Sequence, residues 1–443
     1  MTYAEAVEWL ESLSNYERTG FVAPMSRWVN LNTMRALLAL LGDPQDGLRF
    51  VHIAGSKGKG SVAAMVEAIL RAAGWKTGLF TSPHLISVRE RIRVAGKLIA
   101  PEQFAGLADS VRAAVEELSH HPGLAPVTYY EAVTAMAMLG FAAARVDVVV
   151  LETGLGGRLD ATNLVRPSVC VITRLCLEHT AVLGNSLAEI AAEKAGIIKP
   201  GVPVVLGAQA DEALGVLERR ASEVAAPVVR APQSRLLCTP ILSPGASSRP
   251  QTVLIGDGSY ELALLGDHQA ENAALAVAAT AALSEAGFPV PPEATAEGLR
   301  TVHWPGRLQV ASGRPMFLLD CAHAPAAAAA LADTVAKCFR YANLWVVLGM
   351  ADDKDVEGFA REMLPLRPRT IATAAQTPRA IRPESLAARL EPIVGSSTVA
   401  ETVPEAIEAA RRCAGPDDLI LVTGSVYVVG EALCQLGLAE FEC

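Results

Sequence analysis

The chain has 443 residues, about half of them hydrophobic and 19% charged, a balance that excludes a disordered polymer and suits a compact α/β enzyme. That length exceeds one ordinary hydrophobic core, so two domains, or three, are expected. A formal net charge of −9 and a pI near 5.5 argue against an extended nucleic-acid surface, while a local basic pocket for phosphate remains compatible.

The first ten residues carry Glu5 and Glu8 where a signal peptide needs basic residues, and no apolar run reaches membrane-spanning length. A cytoplasmic protein with no membrane partner is therefore expected. The eight cysteines include no Cys-x-x-Cys pair and several stand in apolar runs such as Val169-Cys170-Val171, so buried thiols are expected rather than disulfides or a zinc site.

Residues 3–42 read as helical with an interruption from Gly20 to Asn32, and Gly42-Asp43-Pro44 is a stop signal. Residues 50–54 then read as a buried strand running into Gly55-Ser56-Lys57-Gly58-Lys59-Gly60-Ser61, where a helix opens. The glycines admit backbone geometry that a Cβ obstructs. Successive N–H groups and the helix N-terminus would hold phosphate oxygens, with Lys59 on the β/γ-phosphates and the Ser61 hydroxyl on magnesium. The spacing is Gly-x-x-Gly-Lys-Gly-Ser and not the commoner Gly-x4-Gly-Lys-Ser/Thr, so alone it specifies a nucleoside triphosphate and no more. In the helix, Val62, Met65, Val66 and Ile69 share one face, and Glu67 and Arg71 point elsewhere.

Residues 77–81 read as a second strand leading into Ser82-Pro83-His84-Leu85, and Arg89-Glu90-Arg91-Ile92-Arg93 as a solvated loop and edge strand. A helix over 130–144 precedes a strand over 147–151, which is buried on both faces and delivers Glu152 at its carboxyl end. The strand over 168–173 is followed by Glu178 and His179. In open parallel sheets ligands bind outside the carboxyl ends of the strands, so the cradle, Glu152 and His179 are expected to converge. Near the end of a helix over 187–198, Lys194 reads as a surface lysine favoured by the dipole. A strand at 202–206 follows. Prolines 240, 244 and 250 limit residues 231–262 to short strands and turns, and an alanine-rich helix to Leu283 carries Asn272, which suits a base or solvent.

Beyond Pro292 a second alternating series begins, with strands at 316–319, 344–348, 370–374 and 419–423 and helices over 325–337, 382–390 and 403–413. It reads as a second α/β domain. Asp320 with His323, the run 352–355, and Ser425 follow the ends of its strands.

Taken in order, several segments resemble the folylpolyglutamate synthase/dihydrofolate synthase family of ATP-dependent Mur ligases, over nearly the whole chain. They are Leu41-Gly-Asp-Pro-Gln45, the cradle at 54–62, Thr81-Ser-Pro-His-Leu85 with Arg89-Glu-Arg91, and Glu152-Thr-Gly-Leu-Gly-Gly-Arg-Leu-Asp-Ala-Thr-Asn163. Glu178-His-Thr180 with Leu183-Gly-Asn185, Glu193-Lys-Ala-Gly-Ile-Ile-Lys-Pro200, His268-Gln269, Asn272-Ala273, Trp304-Pro-Gly-Arg307, Asp320-x-x-His323, Asp353-Lys-Asp355 and Gly424-Ser425 complete the match. The resemblance implies an α/β fold with a P-loop ATPase domain of Mur-ligase type at 1–300 and a smaller Rossmann-like domain at 301–443.

The implied reaction is amide formation: a pteroate or folate carboxylate takes the γ-phosphoryl of ATP, and L-glutamate then displaces phosphate. By that resemblance Lys59, Glu152, His179 and Lys194 are catalytic. Ser61, Glu152, His179 and a carbamylated Lys194 would hold metal, and Gly55 to Ser61 with Asn272, Arg307 and Asp320 would hold the nucleotide. Thr81, Ser82, Pro83, His84, Tyr130, Asp160, Ala161, His323 and Ser425 would line the acid and glutamate sites. The implied cofactors are ATP and magnesium, as one ion or two, with a monovalent cation as a further candidate. The implied partners are small molecules, with no nucleic acid and no membrane, and the family resemblance implies a monomer. A Mur-type ligase for another acid and amino acid, and a P-loop kinase or nucleotide-binding regulator, are the alternatives. The chain departs from the family pattern at Ser56-Lys57, usually Thr-Asn, at Glu178, usually Asp, and at Gln309, Cys321 and Ala324.

Overall fold

The computed structural model describes residues 1–19 and 31–441, so most of the expected interruption after Thr19 lies outside the described residues. The chain forms two compact units: residues 1–234, 255–258 and 271–302 make the first, and residues 235–254, 259–270 and 303–443 make the second. The polypeptide therefore passes between units more than once before residue 303.

The first unit is built on an eight-stranded sheet. Its strands are β1 (Phe50–Ala54), β2 (Thr77–Phe80), β3 (Ile92–Val94), β4 (Lys97–Leu98), β5 (Val148–Glu152), β6 (Val169–Ile172), β7 (Val204–Leu206) and β8 (Val228–Arg230), in the order β4-β3-β2-β5-β1-β6-β7-β8. All neighbours run parallel from β2 to β8, and β3 and β4 add an antiparallel edge. The β-branched runs in β1, β5 and β6 are buried at every position, as a sheet covered on both faces requires. From β1 the chain crosses to β2 on one side, and from β5 to β6 on the other. The carboxyl end of β1 is thus the topological switch point, where open parallel sheets leave a crevice.

The helix Lys59–Ala72 lies against this sheet and is buried from Ser61 to Leu70, including Glu67, which the helical period had turned outward. Its other side is covered by the helix Pro292–Thr301, where a Cβ on Gly298 would lie 2.5 Å from Ile69 Cα. Glu67 is accommodated because its carboxylate accepts from Thr77 Oγ1 at 2.6 Å and from Arg71 Nε at 3.2 Å.

The remaining strands are β9 (Ser234–Cys238), β10 (Gln251–Ile255) and β11 (Gly258–Leu262), a small sheet in the order β11-β10-β9, and those of the second unit's main sheet. That sheet contains β12 (Gln309–Ala311), β13 (Met316–Leu319), β14 (Leu344–Leu348), β15 (Arg369–Ala372), β16 (Thr398–Val399) and β17 (Leu419–Thr423), ordered β12-β13-β17-β14-β15-β16. Only β12 runs antiparallel to its neighbour. Six described cysteines are free thiols, three of them buried, whereas Cys434 is disulfide-bonded, a departure from the all-thiol expectation. No described helix is long and apolar enough to cross a membrane.

Candidate active site

The cradle begins where β1 ends. Gly55 passes so close to Thr173 that a Cβ would lie 1.8 Å from its Oγ1, and Gly58, at φ +89°, would place a Cβ 2.2 Å from Asn272 Oδ1. Gly58 is the N-cap of the helix Lys59–Ala72 and has no side chain to cap it, so the first-turn N–H groups stay available to an anion. Asn272, buried on the helix Asp267–Glu285, closes this side of the turn.

Loop geometry here depends on the segment after β6 as much as on glycine. The N–H groups of Ser56 and Lys57 donate to Arg174 O at 3.1 and 3.2 Å, and Thr173 Oγ1 donates to Lys57 O at 2.7 Å. Ser56 Oγ donates to Cys176 O at 3.1 Å, and Lys57 Nζ lies 2.5 Å from Glu178 Oε1. Burial works against ionisation of Glu178, but Lys57, His179 and Lys59 outweigh it and hold the carboxyl below its ordinary range.

Glu152 is the last residue of β5, in register with Ile53 of β1, and is only 4% exposed. Its Oε2 accepts from the Ser82 N–H at 3.1 Å, which ties the start of the Ser82-Pro83-His84 segment to the strand end beside the cradle. His84 Nδ1 accepts from Arg91 Nε at 2.9 Å, so the ring carries its proton on Nε2. Burial and the Arg91 charge push its pKa well below the ordinary value. Arg91 itself is 1% exposed, forked onto Glu17 and stacked 5.3 Å over the Tyr129 ring. This overturns the reading of residues 89–93 as solvated: a guanidinium enters the interior when a carboxylate and an aromatic face meet it there.

Asp160 collects donors from its own loop. Oδ1 accepts from Thr162 N at 3.0 Å, Thr162 Oγ1 at 2.5 Å and Tyr130 OH at 3.3 Å, and Oδ2 accepts from Leu155 N at 2.9 Å. Because the Thr162 hydroxyl donates to Asp160, its oxygen accepts from His52 Nε2, 2.9 Å away in the middle of β1. Burial lowers the pKa of His52 to about 3, raises that of Asp160, and raises that of Tyr130 well above the ordinary phenol.

Lys194 is not a surface lysine. It is 4% exposed near the end of the helix Leu187–Ala195, which packs so closely on the 154–160 turn that a Cβ on Gly157 would lie 3.1 Å from Lys194 Cα. Burial, then the Lys59 charge, pull its pKa down to about 7 against the opposing pull of Glu178 and Asp160. His179 is exposed, has left-handed backbone at φ 53° and stands at the N-terminal boundary of the short helix Thr180–Leu183 without a side-chain capping bond.

The structure thus gathers the cradle, Thr81 to His84, Tyr130, Glu152, Asp160, Ala161, Glu178, His179, Lys194 and Asn272 in the first unit. Arg307, Asp320, His323 and Ser425 belong to the second. There Asp320 accepts from Leu308 N and Ala322 N, both at 2.9 Å, and His323 Nδ1–H donates to Cys321 O at 2.9 Å. Ser425 Oγ accepts from Tyr427 N at 3.2 Å at the start of the helix Val426–Gln435, and Arg307 Nη1 donates to Gly306 O at 3.3 Å. Sequence reasoning missed Thr173 and His52, and gave Arg91 no role in the site although it stands in the family segment Arg89-Glu-Arg91. Thr173 carried a weak signal as the residue just past a buried strand, and His52 carried none.

A parallel sheet whose switch-point strand feeds a glycine turn and an uncapped helix defines a P-loop α/β protein. Residues 53–280 match the family model of the Mur ligase middle domain, and residues 306–426 that of the Mur ligase glutamate ligase domain. The chain is 34% identical over 406 residues to the dihydrofolate synthase/folylpolyglutamate synthase of Bacillus subtilis, covering 90% of this chain and 93% of that one. A probable bifunctional folylpolyglutamate synthase/dihydropteroate synthase of Halobacterium salinarum is 42% identical over 401 residues, 89% of this chain. The chain spans about half the length of that relative and of its Haloferax volcanii counterpart. The folylpolyglutamate synthase of Mycobacterium tuberculosis, solved with ADP and AMPPCP, superposes with a TM-score of 0.84 at 34% identity over 95% of this chain and 97% of that one. E. coli FolC, solved with DHPP and ADP, superposes at 0.81 and 29% identity, over 98% and 97% of the two chains. The chain belongs to the folylpolyglutamate synthase/dihydrofolate synthase family of the Mur ligase superfamily.

Proposed function

We propose that the chain is an ATP-dependent ligase that joins L-glutamate to a pteroate or folate acid through an acyl phosphate, releasing ADP and phosphate. The observation that carries this reading is the glycine turn that leads through Gly58 into the uncapped N-terminus of the helix Lys59–Ala72, beyond the end of a strand in register with the one that ends at the buried Glu152 carboxylate.

In the first step a carboxylate oxygen of the acid bonds to the γ-phosphorus of ATP as the bond to the β-phosphate oxygen breaks. Lys59 and the first-turn N–H groups, fixed before the reaction, meet the charge that develops on the phosphoryl oxygens. In the second step the glutamate amine attacks the acyl carbon, loses a proton, and the carbon–oxygen bond to phosphate breaks. Glu152 and Ser61 suit magnesium, because the ion takes few protein oxygens and fills its remaining positions with water and phosphate. Bound there, the ion would neutralise phosphate charge.

His179 joins this set only as a second-ion ligand. Lys194 is assigned to carbamylation on the family resemblance, and its burial, which with Lys59 draws its pKa down to about 7, is compatible with that because the neutral amine is the form that adds CO2. The Ser82–His84 segment and Tyr130 are assigned to the acid, Asn272, Arg307 and Asp320 to the nucleotide, and His323 and Ser425 to glutamate. A cytoplasmic monomer acting on small molecules completes the reading.

Phosphate release from ATP, magnesium and L-glutamate, with dihydropteroate in one reaction and tetrahydrofolate in another, tests it. Release that requires both an acid and glutamate is expected. Release in both reactions identifies a bifunctional enzyme, release in one names the activity, and silence in both with ATP still bound overturns the folate substrate.

A further inference from the structure

The amine of Lys57 is held by a side chain outside the turn, the carboxylate of Glu178. The Lys57 main chain is fixed by Arg174 O and Thr173 Oγ1, and its Nζ lies 2.5 Å from Glu178 Oε1 with both side chains partly screened from solvent. Lys57 immediately precedes Gly58, so without Glu178 its amine would stand at the mouth of the phosphate site as a second cation beside Lys59. Two residues that depart from the family pattern, 121 positions apart, therefore make contact with each other.

We propose that Glu178 is a positioning residue that acts on the nucleotide through Lys57. It holds this cation off the phosphates, so that the cradle binds ADP weakly enough to release it. The inference rests on the nucleotide reading of the cradle. An ionised hydrogen-bond partner is worth more than a neutral one, so a second lysine on the β-phosphate would strengthen product as well as substrate binding and slow turnover.

The test is a double-mutant cycle on ADP affinity, measured by calorimetry without magnesium so that effects through an ion are removed. Lys57→Met is expected to change affinity less than about twofold in the native chain and to weaken it roughly tenfold in a Glu178→Gln chain. In steady state, Glu178→Gln is expected to lower both kcat and the KM for ATP, a split that loss of structure does not produce. If Lys57→Met costs the same in both backgrounds, or more in the native chain, the proposed role of the pair is overturned. If the native chain binds no ADP at all, the cradle reading fails instead.

Discussion

Glu152 and Asp320 occupy the same kind of place, at or just past the carboxyl end of a parallel strand, yet their hydrogen bonds differ. Asp320 accepts main-chain N–H groups on both oxygens and holds the turns at Leu308 and Ala322. Glu152 accepts the Ser82 N–H on Oε2 and stands in register with the strand that feeds the cradle. A carboxylate at a strand end is thus not a ligand by position alone. What separates the two is what their main-chain donors tie down: the turns at Leu308 and Ala322 for Asp320, and the segment that follows β2 for Glu152.

Substitutions sharpen that contrast, beginning with the cradle as reference. Lys59→Ala should lower kcat by roughly a hundred- to a thousandfold, the range for removing one preorganised contact to developing charge, while melting temperature barely moves. Retained turnover would remove Lys59 from the reacting centre. Glu152→Gln keeps an acceptor for Ser82 and loses only charge, so turnover should drop roughly a hundredfold and the magnesium needed for half-activity should rise, with little change in stability. Asp320→Asn should show a different balance: an amide facing two N–H donors costs about 1–3 kcal/mol of folding stability by denaturant titration, in addition to any weakening of ATP use that follows from its assignment to the nucleotide. An Asp320→Asn chain as stable as the native one would mean that the two N–H contacts do not hold the turns at Leu308 and Ala322.

The smallest expected effect concerns His52, which links β1 to the Asp160 turn through Thr162. Its folded pKa of about 3 lies below the ordinary 6.5, so between those values the unfolded chain binds the extra proton and stability falls with falling pH. His52→Gln retains a donor for Thr162 without titrating. Its deficit relative to the native chain should narrow as pH is lowered from 7 toward 5, and a constant deficit would mean that His52 is not buried neutral.

Much of the cradle was legible because strand, glycines, lysine and helix are local and follow one another in the chain. Burial was less legible wherever a distant element decided it. Glu67 and Lys194 have the spacing of exposed residues, and the 89–93 run has the composition of a solvated loop. The covering helix Pro292–Thr301 lies far along the chain from Glu67, and Arg91 meets Glu17 from near the amino terminus. Asn272, open to either reading, is placed beside Gly58 by the same kind of long-range packing.

The sequence by itself determined the alternation of strands and helices, the glycine turn after β1 and the family pattern, since these depend on local periodicity and on backbone freedom at a few glycines. Tertiary structure alone decided which charges are buried, which carboxylates the backbone consumes, and that Lys57 faces Glu178. Those outcomes depend on which surfaces the folded chain brings against one another, and desolvation, unlike periodicity, is not a property of any single segment.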